Sequence, residues 1–276
     1  MIWQMDIFEE IVRLRRAGIK GAVATIVNVR GSIPSYESAK LLVREDGSLV
    51  GTVGGGCVEA EVWTAACQVM QEEKPRKLTF NLNQEPAYDT GLLCGGTLEV
   101  FIEPILPTPY LYIFGAGHVS LSLSKLATIA GFNTIIIDDR DTYANCERFP
   151  EAVEIYADDY EKIFERLLPN SSSFLIAVTR GHKDDMRVLQ WAVGTVARYI
   201  GMIGSKRKVL EIVKYLEEHE GIQRSQLERV HAPIGLEIGA ITPEEIAVSV
   251  VAEMIAVRRG ALQDAKAPSK SILAVS

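Results

Sequence analysis

Apolar residues recur at helical spacing over residues 6–17, where Ile7, Phe8, Ile11, Val12 and Leu14 share one side and Gly18 ends the run. Residues 21–29 are rich in valine, isoleucine and alanine and predict a buried strand. Two further strands, 39–44 and 49–53, flank Asp46-Gly47, a hairpin turn signal. From 58 to about 73 the pattern is helical again, with Val58, Val62, Ala65, Ala66 and Val69 on one side. Cys67 lies inside that helix, in a core position. Strands follow at 77–82 and at 97–103, where Leu98, Val100 and Ile102 alternate with Thr97, Glu99, Phe101 and Glu103.

Pro104-Ile-Leu-Pro-Thr-Pro109 then interrupts the pattern, because proline lacks a backbone donor and resists both helix and central strand. Beyond it strands and helices alternate: strand 110–114, helix 119–130, strand 133–137, helix 157–168, strand 174–178, helix 184–197, strand 199–203 and helix 206–218. Such alternation predicts right-handed βαβ units around a parallel sheet. The last helix opens at Thr242-Pro-Glu-Glu245, a capping box with proline in the first turn, and stops at Gly260. The expected fold is α/β: an α+β domain over 1–104 with about five strands and two helices, a linker at 105–109, a Rossmann-like parallel-sheet domain over 110–262 and a flexible tail at 263–276.

Composition narrows the function. In 276 residues, 47% hydrophobic and 24% charged, there is ample material for a core. The net charge of −7, with both signs mixed along the chain, argues against a general nucleic-acid binder, which needs a basic face. No apolar stretch approaches the roughly 20 residues of a membrane helix, and the first residues lack a signal-peptide pattern. Four cysteines without close pairing predict reduced thiols and a cytoplasmic protein.

Candidate chemistry gathers at glycine-rich junctions. In Gly51-Thr-Val-Gly-Gly-Gly-Cys-Val-Glu59, Gly54, Gly55 and Gly56 run into Cys57 just before a helix, where amides are open to an anion and a thiolate forms most easily. A structural turn with a small buried cysteine is the competing reading. Gly91-Leu-Leu-Cys-Gly-Gly96 repeats the theme, with Gly95 and Gly96 beside Cys94. Gly115-x-Gly117-x-x-Ser120 is a dinucleotide fingerprint with serine for its third glycine, placed between a strand and a helix. His118 lies within that loop, and Asp138 ends the next strand, where an acidic residue would bind a ribose hydroxyl. Adjacent Asp139 leaves open which carboxylate points inward. His182 follows another strand on the same sheet edge, and Gly204, Ser205 and Lys206, with Arg207 and Lys208, open a helix where cations oppose the dipole, which favours an anionic ligand. Zinc ligation and iron–sulfur ligation are not expected, since the cysteines lack closely spaced partners.

These motifs in this order resemble the xanthine dehydrogenase accessory protein family, XdhC/CoxI, over roughly residues 1–260. The likeness rests on Gly31-Ser-Ile-Pro34, Gly51 to Glu59, Leu93-Cys-Gly-Gly96, Glu99-Val-Phe-Ile-Glu103, Phe114-Gly-Ala-Gly-His-Val119, Tyr199-Ile-Gly-Met-Ile-Gly-Ser-Lys206, Pro233-Ile-Gly-Leu-Glu-Ile-Gly239 and Ile241-Thr-Pro-Glu-Glu-Ile-Ala-Val-Ser249. One departure is Arg180-Gly181 before His182, where the family more often has threonine directly before the histidine. The resemblance implies a maturation chaperone rather than a stand-alone enzyme. Such a protein binds the molybdenum cofactor, a molybdopterin in mononucleotide or dinucleotide form. It assists sulfuration with a cysteine desulfurase and delivers the cofactor to a xanthine dehydrogenase-type molybdenum hydroxylase. A homo-oligomer is expected, and the thiols beside the glycine runs lead to the hypothesis that Cys57 and Cys94 face one cavity near the domain interface and contact molybdenum or carry persulfide. The alternative, from the fingerprint alone, is an NAD(P)-binding oxidoreductase.

Overall fold

The structure is a computed structural model and describes residues 6–32, 35–82 and 95–262. The chain divides into two compact units, Met1–Thr108 and Pro109–Ser276.

The first unit is an antiparallel sheet with one helix on each face. Its helices are α1 (Ile7–Ala17) and α2 (Gly56–Glu72); its strands are β1 (Gly21–Ser32), β2 (Lys40–Arg44), β3 (Leu49–Gly51), β4 (Arg76–Asn81) and β5 (Gly95–Ile105). The strand order is β3-β2-β1-β5-β4. Side chains alternate across a strand, so Ala22, Ala24 and Ile26 of β1 join Leu41 and Val43 of β2 under Val62, Ala66 and Val69 of α2. The intervening Val23 and Leu42 meet Leu14 of α1 on the other face. Cys67 packs at the edge of the α2 cluster, in keeping with a core role. The proline-rich run begins inside the sheet: β5 continues through Pro104, opposite Ala22, to Ile105, opposite Gly21.

The second unit is a parallel sheet of β6 (Tyr110–Phe114), β7 (Asn133–Asp138), β8 (Glu154–Ala157), β9 (Phe174–Ala177), β10 (Tyr199–Met202) and β11 (Val230–His231), in the order β11-β10-β9-β6-β7-β8. Counted within this unit the order is 3-2-1-4-5-6, the doubly wound arrangement, with its switch point between β6 and β9. Helices α3 (His118–Ile129) and α8 (Pro243–Arg259) cover one face, packing on Leu111, Ile113, Ile136 and Ile176. Helices α4 (Tyr160–Phe164), α5 (His182–Ala192) and α6 (Lys206–His219) cover the other, on Tyr112, Phe114, Ile135, Ile137 and Leu175. A short α7 (Arg224–Leu227) leads into β11.

Local signals were sound at most helix starts. Thr242 accepts from the Glu245 amide while the Glu245 carboxylate accepts from the Thr242 amide, closing the expected capping box. The helix expected over 157–168 is the main correction. Residues 154–157 form edge strand β8 on β7, and the helix reduces to Tyr160–Phe164, capped by the Asp159 carboxylate. The apolar spacing of Tyr160, Ile163 and Leu167 is helical and does face the core. Strand pairing on β7 claims the residues before it, however, and the helix stops at Phe164, short of Leu167. The two-residue β11 left no pattern to read.

Candidate functional site

Two glycine-built junctions among the described residues, one in each unit, differ in kind. In the first, β2 and β3 deliver the chain to Gly54, Gly55 and Gly56, all with positive φ, a backbone path that side chains rarely follow. Helix α2 begins at Gly56, so Cys57 sits inside the first turn, exposed to solvent. The competing reading of a buried structural cysteine does not hold at this position. Glu59 steadies the turn from within the helix: its carboxylate accepts from the Thr52 hydroxyl at 2.7 Å and from the Val53 amide at 3.4 Å. The hollow beside the turn, lined by Ser35, Val53, Gly54, Gly55, Val58, Leu82 and Leu98, holds only about 40 Å³. Gly96 pairs with Gly31 at the start of β5, next to Gly95 opposite Ser32. Cys94 lies outside the described residues, as do residues 33–34 of the Gly31-Ser-Ile-Pro34 motif and the expected tail.

The second junction encloses a pocket of about 360 Å³ at the switch point of the parallel sheet, within the range of small-ligand sites. Gly115, Ala116, Gly117, His118, Val119 and Ser120 form its floor. Asp138, Arg140, Tyr143, Val178, Thr179, Arg180 and Ile203 form its walls.

The floor is held by named bonds. Gly115 has φ of +108°, and a β-carbon there would come within 2.4 Å of the Val178 carbonyl oxygen of the neighbouring strand end. Its amide donates to the Ile137 carbonyl at 2.7 Å. Ser120, in the third-glycine position, fits because its buried hydroxyl donates back to the Gly115 carbonyl at 2.6 Å. Ala116 is clamped on both sides: its amide donates to Asp138 Oδ2 at 2.7 Å, and its carbonyl accepts from Arg148 Nη2 at 3.1 Å. Gly117 caps α3 without a side-chain bond, and a β-carbon on it would meet open space. The first amides of α3 therefore face the pocket with no intrahelical acceptor.

The paired carboxylates at the end of β7 separate clearly. Asp138 is buried; its Oδ1 accepts from the Arg140 amide at 3.1 Å and Nε at 2.8 Å, and its Oδ2 from Arg140 Nη2 at 2.9 Å as well as from Ala116. Burial pushes its carboxyl up, but Arg140 and the Ala116 amide outweigh that and hold it below the usual carboxylate range. Asp139 points outward and pairs with Arg180 at 3.2 Å. Arg140 also lies over the Tyr143 ring, 3.8 Å from its centroid.

The remaining candidates spread out. His118 lines the pocket from the start of α3, whereas exposed His182 starts α5 and is not among the lining residues. Ser205 caps α6 by accepting from the Lys208 amide at 3.2 Å. The cations there have carboxylate partners within the protein: Lys206 faces Glu237, Arg207 faces Glu211, and Lys208 pairs with buried Asp185. Asp185 also accepts from the Thr179 hydroxyl at 2.7 Å, tying α6 to a pocket wall. Gly204 and Lys206 do not line the pocket, which Ile203 reaches from the same junction. His231 bonds through Nδ1 to Glu253 at 2.9 Å, and Glu253 accepts from Tyr199, a separate buried cluster on the α8 face. Sequence reasoning did not single out Arg140, Tyr143 or Arg148. Arg140 was within reach, since an arginine near the acidic position is one of this fold's known variants; Arg148 left no local signal.

Comparison with known proteins matches residues 111–254 to the XdhC Rossmann domain and residues 14–81 to the XdhC and CoxI family. The uncharacterized protein YqeB of Escherichia coli (strain K12) is 36% identical over 258 residues, 93% of this chain; the chain spans 47% of that protein's length. A probable xanthine dehydrogenase subunit of Bacillus subtilis (strain 168) is 23% identical, over 87% of this chain and 94% of its own length. The molybdenum cofactor insertion chaperone PaoD of Escherichia coli (strain K12) is 27% identical, over 91% and 88%. Among solved structures, a xanthine dehydrogenase from Bacillus halodurans shares the fold at a TM-score of 0.50 and 24% identity, over 98% of this chain and 99% of its own.

Proposed function

Because this chain belongs to the XdhC and CoxI family, we propose that it is an accessory protein for a molybdenum hydroxylase, binding the molybdenum cofactor and assisting its sulfuration and insertion. The observation that carries this reading is the pairing, on one chain, of an exposed thiol at a glycine-built helix start with a small-ligand-sized pocket at the Rossmann switch point. The likeness to an insertion chaperone along nearly its whole length supports it.

The residues present fit the group. A molybdopterin carries a phosphate, or a diphosphate in its dinucleotide form. The amides at the start of α3 would hold it, where the absent side chain of Gly117 leaves room. A soft metal favours thiolate, and Cys57 is the exposed thiol at a helix N-terminus of the first unit. When bound, the cofactor supplies the molybdenum centre whose oxo ligand is exchanged for sulfur. Cys57 would contact that centre or carry a persulfide sulfur from a cysteine desulfurase, with Glu59 and Thr52 holding the turn in shape. Cys94 shares this role in the proposal.

The test is purification from a host that makes the cofactor, followed by metal and pterin analysis and activation of a sulfur-depleted client hydroxylase. Wild type should retain about one molybdenum and one pterin per chain. Cys57→Ser should lower client activation by tenfold or more while the protein stays folded. A wild-type chain that carries neither metal nor pterin, or a Cys57→Ser chain that activates the client normally, would overturn the reading.

A further inference from the structure

Helix α8 packs on the parallel sheet through Ala247, Val250, Val251 and Met254. Its outer side carries a second apolar stripe, where a surface helix ordinarily turns polar residues to water. Ile241, Val248, Ile255 and Leu262 recur every seven residues, just under two helical turns, so they run along one side of the helix and its flanks. Ile241 is 84% exposed and Val248 48%, while Ile255 and Leu262 are half-buried. Single exposed aliphatics are ordinary on a protein surface. Four in register on one helix are the pattern of a helix seam.

The charges at the two ends of the stripe say what fits it. Glu244 lies in the first turn of α8 and Arg259 in the last, both exposed. Among the described residues Glu244 meets the Ser122 hydroxyl at 3.5 Å, and Arg259 sits close enough to Arg258 for the two charges to repel. Acid first and base last also suits the helix dipole, so the charges alone decide nothing. With the stripe between them they make the surface self-complementary. A twofold axis beside Ala252, midway along the stripe, sets Val248 against Ile255 of a second copy and Glu244 against its Arg259, each contact occurring twice.

We propose that the outer side of α8 is a dimer interface, on which a second copy of this chain packs its own α8 antiparallel. The inference is independent of what the pocket or Cys57 binds.

Sedimentation velocity of the full chain at micromolar concentration tests it, and wild type should sediment at twice the mass of one chain. Val248→Asp would bury a carboxylate against Ile255 and should weaken the dimer about a hundredfold or more, with circular dichroism unchanged. Glu244→Arg and Arg259→Glu each set like charges face to face and should each weaken it about tenfold or more. The double variant should return to within about threefold of wild type, because the exchanged charges pair again. That rescue can come only from a second copy. The two positions lie about 22 Å apart along one helix, and both substitutions oppose the dipole of their own helix. A wild type that sediments as a monomer overturns the proposal and leaves the stripe to a client protein or to residues 263–276. A dimer that survives Val248→Asp unchanged, or a double variant as weak as the single ones, overturns it as well and puts the interface elsewhere. None of these outcomes touches the accessory reading, which stands or falls on molybdenum and pterin co-purifying with wild type.

Discussion

Glu10 shows how much one side chain can decide in the first unit. It is fully buried on α1, and its carboxylate takes Arg13 at 2.7 Å and Arg44 of β2 at 2.5 Å, fastening the helix to the sheet. The Arg13 hydrogen bonds, opposed by burial and reinforced by Arg44, bring its carboxyl from 4.5 down to about 2. A folded-state value below the unfolded one means that this stabilisation is complete above about pH 4.5 and is lost as pH falls toward 2. Glu10→Gln should cost about 2 kcal/mol at pH 7, and its urea stability should change less than wild type's between pH 6 and pH 3. Equal acid sensitivity in the two proteins would contradict the assignment. The sequence offers no hint of this triad, since Glu10 and Arg44 meet only once β2 lies beside α1. Ser120 is the converse case: its place in the fingerprint was legible, and the structure adds only why a hydroxyl suits it.

At the scale of elements, the two fingerprint glycines do different work. Gly115 closes against the end of β9, and at its positive φ an added methyl group meets the Val178 backbone. Gly115→Ala should therefore lower unfolding free energy by more than about 2 kcal/mol, whereas Gly117→Ala, facing open space, should stay within about 1 kcal/mol of wild type. Urea denaturation of both variants checks the contrast, and equal losses would remove the distinction between turn closure and ligand room. The sequence pattern foretold both glycines, because a strand, a glycine turn and a helix form a local unit. It misread 157–168, because the partner that turns residues 154–157 into a strand is β7, which lies earlier in the chain. Likewise the cations of Lys206 to Lys208 looked like an anion site. Lys208 in fact faces Asp185 of α5, a carboxylate that only folding brings near.

Over the whole molecule, each unit has its own core and its own junction, a thiol-bearing turn in one and a small-ligand-sized pocket in the other. In the proposed role, delivery of a cofactor that carries both a soft metal and a phosphate should need both. Cys57→Ser and Gly117→Asp, each assayed for activation of a client hydroxylase, should both fall at least tenfold below wild type with circular dichroism unchanged. Retained activation by Gly117→Asp would leave the parallel-sheet unit without a part in delivery. Among the described residues no helix is long and apolar enough to cross a membrane. By itself the sequence determined the fold class, the two glycine junctions and the family, because alternation of apolar residues and turn chemistry act between near neighbours in the chain. Only tertiary structure decided that Asp138 faces inward and is saturated while Asp139 faces out. Those bonds come from Arg140 and from the Ala116 amide of the preceding βα turn, and a saturated carboxylate is a property of what surrounds it.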